Sequence, residues 1–428
     1  MSVYAPVVVN PKLQTATEQW FHYYAGFSDE FVTSVLDVFG LEPEASVLDS
    51  WLGGGTTACA AVSRQLAFAG VELNPVMVLI ALARIYSRLP TFSSTLAAAQ
   101  DNLAQIVHEM PIIDASSHDL ATWIGPSMAS FVLSMIQATS RLPVTERPIS
   151  HHEWAVRIPQ LRTDQVLLLA AALTAIRART RSLRGSNPTW PKRPELATEI
   201  ACSPEALQQL IENALMALPR PLTKGEPSGS TPNFEVTLAS STLLPYAKAS
   251  FDAVVTSPPY CTRIDYCKKT QIELTALGLT ESTFRGLRDC MIGTPTITNQ
   301  ETSIAKLPKD VRGLLREIER HDSYAAREYY AKFYRQYFSS LDRSMAEMAR
   351  VLKQNGRAAI VVQTSHFKEV EIDLPQLLIS VSRQYGLTSL ETLSWKCTTN
   401  LAHINPAAKK YIKRREDFES VVVLQKEE

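Results

Sequence analysis

A chain of 428 residues with 45% hydrophobic side chains is long enough to bury one large core or two smaller ones. Its 43 Lys and Arg balance its 43 Asp and Glu, which excludes net charge as a source of affinity for nucleic acid. The sequence lacks both a bilayer-spanning apolar run of roughly 18 residues and a signal peptide, which predicts a cytoplasmic protein. Its six cysteines lack short paired spacings, so we expect reduced thiols and no metal site.

The first 90 residues alternate between helix and strand patterns. Residues 28–40 predict a helix that Ser28 caps and Gly40 ends. The apolar run 45–50, a glycine turn and a helix from residue 56 follow, and then a strand that ends at Glu72 and a helix over 75–87. This order predicts the start of a doubly wound α/β sheet.

Residues 91–232 carry a different pattern. Helical periodicity recurs over 94–110, 127–142, 163–179 and 203–218, separated by polar and proline-rich loops. We interpret this region as an inserted, mainly helical domain. It separates an N-terminal part, 1–90, from a C-terminal part, 233–428, of one α/β domain.

Strand patterns resume after residue 233. Runs at 234–240, 251–257, 356–365, 389–395 and 419–426 bring the predicted strands to seven, and the last two predict a hairpin at the sheet edge. Helices are predicted over about 325–352 and 373–386. The expected fold is a mostly parallel, seven-stranded Rossmann-like sheet with the helical insertion after its second strand.

The glycine turn and Glu72 suggest a cofactor site. Glycines at 53–55 allow a tight turn, and the following helix offers free N–H groups to a polar ligand. A carboxylate about 20 residues further on can bind ribose hydroxyls, as for any adenosine-bearing cofactor. The alternative is a purely structural turn between strand and helix.

The segment VLDSWLGGGTTACAA resembles the first motif of amino-methylating DNA methyltransferases, LDPFxGxGTT, with Ser50 in place of Pro and Trp51 in place of Phe. Similarly, GVELNP resembles the second motif, and FHYYAGFSDEFV resembles the motif that closes over the methionine end of the cofactor. The resemblance implies S-adenosylmethionine as cofactor. The residues it places against that cofactor are Phe27, Ser28, Asp49, Trp51, Gly53, Gly55, Thr56, Thr57, Glu72, Asn74 and Ser240.

Ser257-Pro258-Pro259-Tyr260 follows a buried strand and supplies the candidate catalytic residues. Methyl transfer to an aromatic amine requires the nitrogen in line with the methyl group, and the Ser257 hydroxyl and the Pro258 carbonyl are suited to accept its N–H bonds. Prolines stiffen the loop, and Tyr260 offers a flat face to an extruded base. The alternative is a rigid turn without a catalytic role. We reject a nucleophilic Cys261, since cytosine C5 methyltransferases present Pro-Cys without an intervening tyrosine.

Within this family, serine at the first motif position is commonest for cytosine N4 methylation and aspartate for adenine N6. We therefore predict cytosine N4 as the target, with adenine N6 as the alternative. The order of motifs resembles the alpha arrangement, which implies that residues 91–232 contain the recognition region. The partners implied are DNA and a cognate restriction endonuclease or other phage-defence proteins.

Two basic segments are candidates for contact with DNA. The first, 177–193, holds six cations and no acid, and the second is KKYIKRR over 409–415. The alternative for the first is a solvated helix end. The predicted DNA-binding residues are Arg177, Arg179, Arg181, Arg184, Trp190, Lys192, Arg193 and, beside the catalytic loop, Arg263.

The segment after the catalytic loop offers further cations. Lys268 and Lys269 are candidates, with Arg263, for phosphates beside a flipped nucleotide, and the alternative is an ion pair between Arg263 and Asp265. The aromatic residues over 329–338 have a helical spacing that predicts core rather than ligand contact.

Two other functions remain open from the sequence. RNA or protein amino-methyltransferases use a similar Pro-Pro-Tyr loop, usually with Asn or Asp first. A catalytically silent DNA-binding subunit is the second alternative, since Ser50, Trp51 and Ser240 depart from the motif pattern.

Overall fold

A computed structural model describes most of the chain, including both predicted halves of the α/β domain. The residues described are 7–12, 20–21, 26–140, 151–184, 190–195, 203–218, 231–298, 304–397 and 416–427. The predicted basic segment 409–415 lies outside them.

Seven strands form the central sheet: β1 Ser46–Asp49, β2 Ala67–Glu72, β3 Phe234–Leu238, β4 Phe251–Thr256, β5 Leu352–Gln363, β8 Leu387–Lys396 and β9 Phe418–Lys426. Their order across the sheet is β3-β2-β1-β4-β5-β9-β8. The first five in this order are parallel, and β9 is antiparallel to both of its neighbours. This is the Rossmann-like fold of S-adenosylmethionine-dependent methyltransferases, which confirms the predicted fold class and the terminal hairpin, with β8 at the sheet edge.

Fifteen α-helices occur within the described residues, and the longest of them agree with the predicted helices. They are α1 Asp29–Phe39, α2 Thr56–Ser63, α3 Pro75–Tyr86, α4 Phe92–Glu109, α5 Ala121–Ile124, α6 Pro126–Ser140, α7 His151–Arg157, α8 Thr163–Arg179, α9 Pro204–Met216, α10 Tyr266–Lys269, α11 Gln271–Ala276, α12 Glu281–Cys290, α13 Lys309–Arg320, α14 Ala331–Val351 and α15 Leu374–Arg383. A π-helical turn, Ala326–Tyr330, leads into α14.

Local capping explains why the sequence located these helices well. The Ser28 hydroxyl accepts a hydrogen bond from the backbone of Phe31 at the start of α1, and Gly40 ends the helix in the left-handed conformation with φ of 57°. Ser203 caps α9 in the same way, and Pro204 occupies its first turn. These signals depend on a few neighbouring residues and are therefore readable without tertiary information.

The hydrophobic core continues from the sheet into the helical region. One cluster contains α3 together with α4, α6, α8, α9 and residues 267–287. Almost every residue of α8 is buried, which is the pattern of a helix surrounded by protein on all sides. The helices of 91–232 therefore share a core with elements from both flanking parts, and the division into domains stays a prediction.

Some elements were not predicted. Two short strands, β6 Ser365–Phe367 and β7 Val370–Ile372, form a separate hairpin after β5, and helices α12 and α13 were also not predicted. The segment after Tyr260 predicts a loop that leads into a helix, and the structure has two short helices there, α10 and α11. The two strands have three residues each and are too short to show clear periodicity. None of the helices in the described ranges is both long and apolar enough to cross a membrane.

Candidate active site

The predicted cofactor and catalytic motifs meet at the carboxyl ends of β1 and β4, which are neighbours in the sheet. The Thr256 hydroxyl donates to Asp49 at 2.6 Å, and the backbone N–H of Trp51 donates to the Thr256 hydroxyl at 3.2 Å. Strand order reverses here, because β2 and β3 lie on one side and β4 and β5 on the other. Ligands of open α/β sheets bind at such a switch point.

The glycine turn has the backbone that the sequence predicted. Gly53 and Gly55 have φ of 50° and 79°, a region that residues with a Cβ rarely adopt. A Cβ at Gly55 would lie 2.9 Å from the Cβ of Ala81, so glycine also lets α3 approach the turn. The Thr57 hydroxyl, in the first turn of α2, donates to the carbonyl of Val255 on β4.

Glu72 lies at the end of β2 and is hydrogen-bonded to the glycine turn. Its carboxylate accepts from the backbone N–H groups of Gly53 at 3.0 Å and of Leu73 and Asn74 at 2.9 Å. Burial raises the pKa of Glu72, and these backbone donors oppose the rise. The predicted ribose-binding carboxylate thus lies beside the predicted turn.

Asp49 is buried beneath the same turn. Burial raises its pKa from 3.8 to about 6, against the lowering effect of hydrogen bonds from Thr256, Thr57 and the backbone of Trp51. Next to it, the Ser50 hydroxyl is buried and makes no hydrogen bond within the described residues. Carboxylate acceptors, a buried hydroxyl without a partner and the free N–H groups of a helix N-terminus suit a ligand with both donor and acceptor groups, such as S-adenosylmethionine with its ribose hydroxyls and carboxylate.

Arg84 is a site residue that the sequence analysis missed. Its guanidinium donates to the carbonyl of Gly54 at 2.5 Å and lies 3.8 Å from the Asp29 carboxylate, so it joins the glycine turn to the start of α1. The available signal was a cation near the end of the otherwise apolar helix PVMVLIALARIY. A charge in such a setting requires a partner.

Ser28 and Phe27 lie at this start of α1. Ser28 is buried and caps the helix, and the ring of Phe27 packs edge to face on that of Phe31 at 5.2 Å. Because Asp29 pairs with Arg88 as well as Arg84, this end of α1 is fixed beside the cofactor turn.

Other predicted cofactor residues contact side chains within the protein. Asn74 caps α3 and donates its amide to Thr270 at 2.7 Å, and it is buried. The hydroxyl of Thr56 lies 3.4 Å from Arg84, and that of Ser240 lies 2.9 Å from Thr242 in the loop after β3. Their contacts with a cofactor stay predictions.

The catalytic loop is held at three points. The Ser257 hydroxyl donates to the carbonyl of Val361 on β5 at 2.9 Å, and the carbonyl of Pro259 accepts from the Tyr337 hydroxyl on α14 at 2.9 Å. The Tyr260 hydroxyl donates to Glu419 on β9 at 2.5 Å. Pro258 is buried, whereas Ser257, Pro259 and Tyr260 remain partly accessible.

Cys261 follows this loop but is buried. Burial raises the pKa of its thiol well above the usual value, so the nucleophilic thiolate is disfavoured. The sequence-based rejection of a covalent mechanism through Cys261 agrees with this environment. Nor do the described residues contain a cluster of His, Cys, Asp or Glu able to hold a metal ion.

The structure corrects the prediction for Arg177. This side chain is buried, and its guanidinium pairs with Glu273 on α11 at 3.0 Å, donates to the carbonyl of Lys269 and stacks on Phe21. Helical periodicity in the apolar α8 turns position 177 toward the core, which a count of local cations does not show. Lys269, predicted as a phosphate-binding cation, is also buried.

The other predicted DNA-binding residues lie nearer the surface. Arg181, Trp190, Lys192 and Arg193 are not buried, Arg179 is half-buried, and the side chain of Arg184 is outside the described part of the structure. Arg193 lies over the ring of Trp123 at 5.2 Å and lines a cavity of about 450 Å³ with Lys268 and Gln271 of α10 and α11. Segment 190–195 therefore approaches the helices that follow the catalytic loop.

Arg263 is exposed beside the catalytic loop and stacks on Tyr330 at 4.7 Å. The sequence left open an ion pair between Arg263 and Asp265. Instead, Asp265 caps α10 and pairs with Arg288 of α12 at 2.6 Å, so that interpretation is wrong. Of the aromatic residues over 329–338, Phe333, Tyr334, Tyr337 and Phe338 are buried, which confirms their prediction as core, whereas Tyr329 and Tyr330 are only partly buried.

Comparisons with known proteins find similarity to type II methyltransferases, although no family model matches. M.BsoBI of Geobacillus stearothermophilus is 24% identical over 295 residues, which are 64% of this chain and 55% of that protein. M.AvaI of Nostoc sp. is 27% identical over 150 residues, 32% of this chain and 30% of that protein. This chain thus spans about half the length, or less, of these curated relatives.

Among solved structures, one similar chain is a DNA modification methylase from Thermus thermophilus. The two chains are 20% identical, and the match covers 43% of this chain and 48% of the methylase chain, with a TM-score of 0.20. The fold assignment depends on the strand order.

Proposed function

We propose that this chain is an S-adenosylmethionine-dependent DNA methyltransferase that methylates the exocyclic N4 amine of a flipped cytosine. The observation that carries the proposal is the junction of the Ser257-Pro258-Pro259-Tyr260 loop with the Asp49 turn, through Thr256, at the switch point of the sheet. The similarity to two type II methyltransferases supports DNA as the substrate.

The loop geometry is suited to activating an amine. A hydroxyl has one donor and two acceptor positions, and the Ser257 hydroxyl already donates to Val361. Its lone pairs therefore remain to accept an N–H of the target amine, together with the carbonyl of Pro258. Directional acceptance of N–H bonds favours a pyramidal nitrogen whose lone pair points at the methyl group.

S-adenosylmethionine supplies an electrophilic methyl group when bound, so the protein requires neither a metal nor a covalent intermediate. Glu72 would bind its ribose, and the N–H groups of the Gly53 to Thr57 turn and the start of α2 would face its polar groups. Asp49 and Arg84 hold that turn in shape, through the Trp51 backbone and the Gly54 carbonyl.

We propose that accessible cations contact the DNA. Arg181, Lys192 and Arg193 lie in the helical region, and Arg263 follows the Ser257 to Tyr260 loop in the chain. Arginine and lysine position a duplex through its phosphates, and arginine also reads guanine. A cognate restriction endonuclease is the proposed partner, in keeping with the type II names of the relatives.

A methylation assay tests the proposal directly. The purified chain, given methyl-labelled S-adenosylmethionine, is offered duplex DNA, RNA and protein, and modified nucleosides are identified by mass spectrometry. We expect N4-methylcytosine in DNA, with activity lost in Ser257→Ala and Tyr260→Ala and largely kept in the matched neighbour Cys261→Ala. N6-methyladenine would overturn the choice of base, and label in RNA or protein alone would overturn the proposed substrate.

A further inference from the structure

Glu419 brings a buried carboxylate to the edge of the sheet where the catalytic loop lies. It is the second residue of β9, opposite Gln363 of β5 and Trp395 of β8. Since β9 runs antiparallel to β5, its first residues lie at the carboxyl ends of β4 and β5. The residue is 2% exposed and shares its face of the strand with the buried Val421 and Val423, so its carboxylate needs polar partners.

Two polar side chains approach one oxygen of this carboxylate. The Tyr260 hydroxyl donates to Oε1 at 2.5 Å, and Nζ of Lys12 lies 3.4 Å from the same atom. Lys12 also donates to the carbonyl of Gly26 at 2.8 Å, immediately before Phe27 and Ser28. Glu419 thus links the catalytic loop to the N-terminal segment beside the cofactor turn.

The hydrogen bond between Tyr260 and Glu419 is of the strong, charge-assisted kind. Burial and then the neighbouring Glu419 charge raise the pKa of Tyr260 well above its usual value, so the phenol stays protonated as a donor. With its hydroxyl fixed at one end and its backbone fixed by the loop, the ring keeps a single orientation. An aromatic stacking surface is useful for catalysis only if it is held in place.

We propose that Glu419 is a positioning residue for Tyr260, which fixes the plane of the ring for stacking against the target base. This inference rests on the proposed function for the role of Tyr260. Through Lys12, Glu419 also joins the base-stacking ring to the segment that covers the cofactor. The alternative is a buried carboxylate that only supports the fold of β9.

A double-mutant cycle separates these two roles. Glu419→Ala and Tyr260→Phe are each expected to lower kcat about 10- to 100-fold, from the loss of one charge-assisted hydrogen bond. KM for S-adenosylmethionine should change less than about twofold, because Lys12 keeps its hydrogen bond to the Gly26 carbonyl and the glycine turn is untouched. In the Tyr260→Phe background, Glu419→Ala should have little further effect, since the hydroxyl that it holds is already absent.

Two further single variants accompany the double-mutant cycle. Glu419→Gln keeps the acceptor oxygen without its charge and should recover part of kcat, and it serves as the test if Glu419→Ala fails to fold. Glu416→Ala removes an exposed carboxylate that pairs with Lys396 and is the matched control, with unchanged kcat. An equal loss from Glu419→Ala in both backgrounds would overturn the proposal in favour of a structural role.

A measurement that does not depend on catalysis tests this inference separately from the proposed function. Tyrosine labelled with carbon-13 at Cζ is titrated by NMR, and the Tyr260 signal is assigned from its loss in Tyr260→Phe. Glu419→Ala should lower the pKa of Tyr260, because it removes a neighbouring negative charge. An unchanged pKa would refute the anchoring itself, whereas a normal shift without any DNA methylation would refute only the proposed function.

Discussion

Two carboxylates, the buried Asp49 and the partly buried Glu72, lie at the ends of neighbouring strands and face the same glycine turn. Asp49 accepts from the Trp51 backbone and the Thr256 hydroxyl, and Glu72 accepts from backbone N–H groups, so these hydrogen bonds do not come from cations. Burial raises the pKa of each. Each carboxylate therefore carries a cost of desolvation that its hydrogen bonds offset only in part.

Asp49→Asn should remove a pH-dependent penalty, because asparagine keeps the acceptor oxygen for Trp51 and Thr256 without the charge. In the folded wild type the pKa of Asp49 is raised from 3.8 to about 6, so the folded state binds more protons than the unfolded state between these values. The free energy of unfolding consequently falls as pH rises through this window. The upward shift of this pKa corresponds to a loss of about 3 kcal/mol in the free energy of unfolding, which is fully present above pH 6.

Relative to wild type, Asp49→Asn should thus gain up to about 3 kcal/mol at pH 8 and about half as much at pH 5. Urea unfolding at the two pH values measures the difference. Equal effects at both would show that Asp49 does not titrate abnormally in the folded protein.

Among single residues, the sequence predicted those that belong to a short local pattern. The Gly53 to Thr57 turn, Glu72 and the Ser257 to Tyr260 loop are recognisable because each lies at a strand end with a fixed chemical pattern. Arg84 and Glu419 were missed because their partners are distant along the chain, 30 residues away for the Gly54 carbonyl and 159 for the Tyr260 hydroxyl. Nothing in the local sequence specifies such contacts.

At the scale of elements, the glycine turn that joins β1 to α2 depends on two different properties of glycine. Gly53 is needed for its positive φ alone, since a Cβ there would meet only the Trp51 carbonyl at 3.8 Å. Gly55 is needed for positive φ and for close packing against Ala81 of α3. Substitutions at the two positions therefore separate the cost of a positive φ from the cost of lost close packing.

Gly53→Ala should destabilise the protein by about 1 kcal/mol, the cost of a left-handed conformation for a residue with a Cβ. Gly55→Ala should cost about 2 to 4 kcal/mol, since overpacking against α3 adds to the same strain. Chemical denaturation at constant pH gives both values. If the two variants were equally stable, close packing at Gly55 would not contribute.

The short elements show the limit of pattern reading at this scale. Strands β6 and β7 have three residues each, and α10 and α11 have four and six, so none covers enough periods to identify itself. The long helices α4, α8, α9 and α14 were recognisable because apolar spacing persists over several turns. For α8 the pattern predicted a helix correctly but not its burial on every side.

In the whole molecule, the helical region is tied to the catalytic half by a buried ion pair. Arg177 of α8 pairs with Glu273 of α11, and neither side chain is more than 7% exposed. A cation that its sequence neighbours predict as a DNA contact thus connects α8 to α11.

Arg177→Met should destabilise the protein by about 3 to 5 kcal/mol, since it leaves the buried Glu273 carboxylate without its guanidinium. The exposed Arg181→Met is the control, with a change below about 0.5 kcal/mol. Denaturant unfolding of both variants, and of Arg177→Met combined with Glu273→Leu, tests the interpretation. Failure of the double variant to recover stability would argue against a specific pair.

The sequence by itself determined the class of fold and located the glycine turn and the Ser257 to Tyr260 loop at strand ends, because hydrophobic periodicity, caps, glycines and prolines act over a few residues. Only the tertiary structure decided that the turn and the loop join through Thr256 and Asp49, that Arg177 is internal, and that Glu419 reaches Tyr260. Each of these depends on strand order and helix packing, which bring together groups separated by 96 to 207 residues. Such contacts arise from the packing of the whole chain, and no local pattern encodes them.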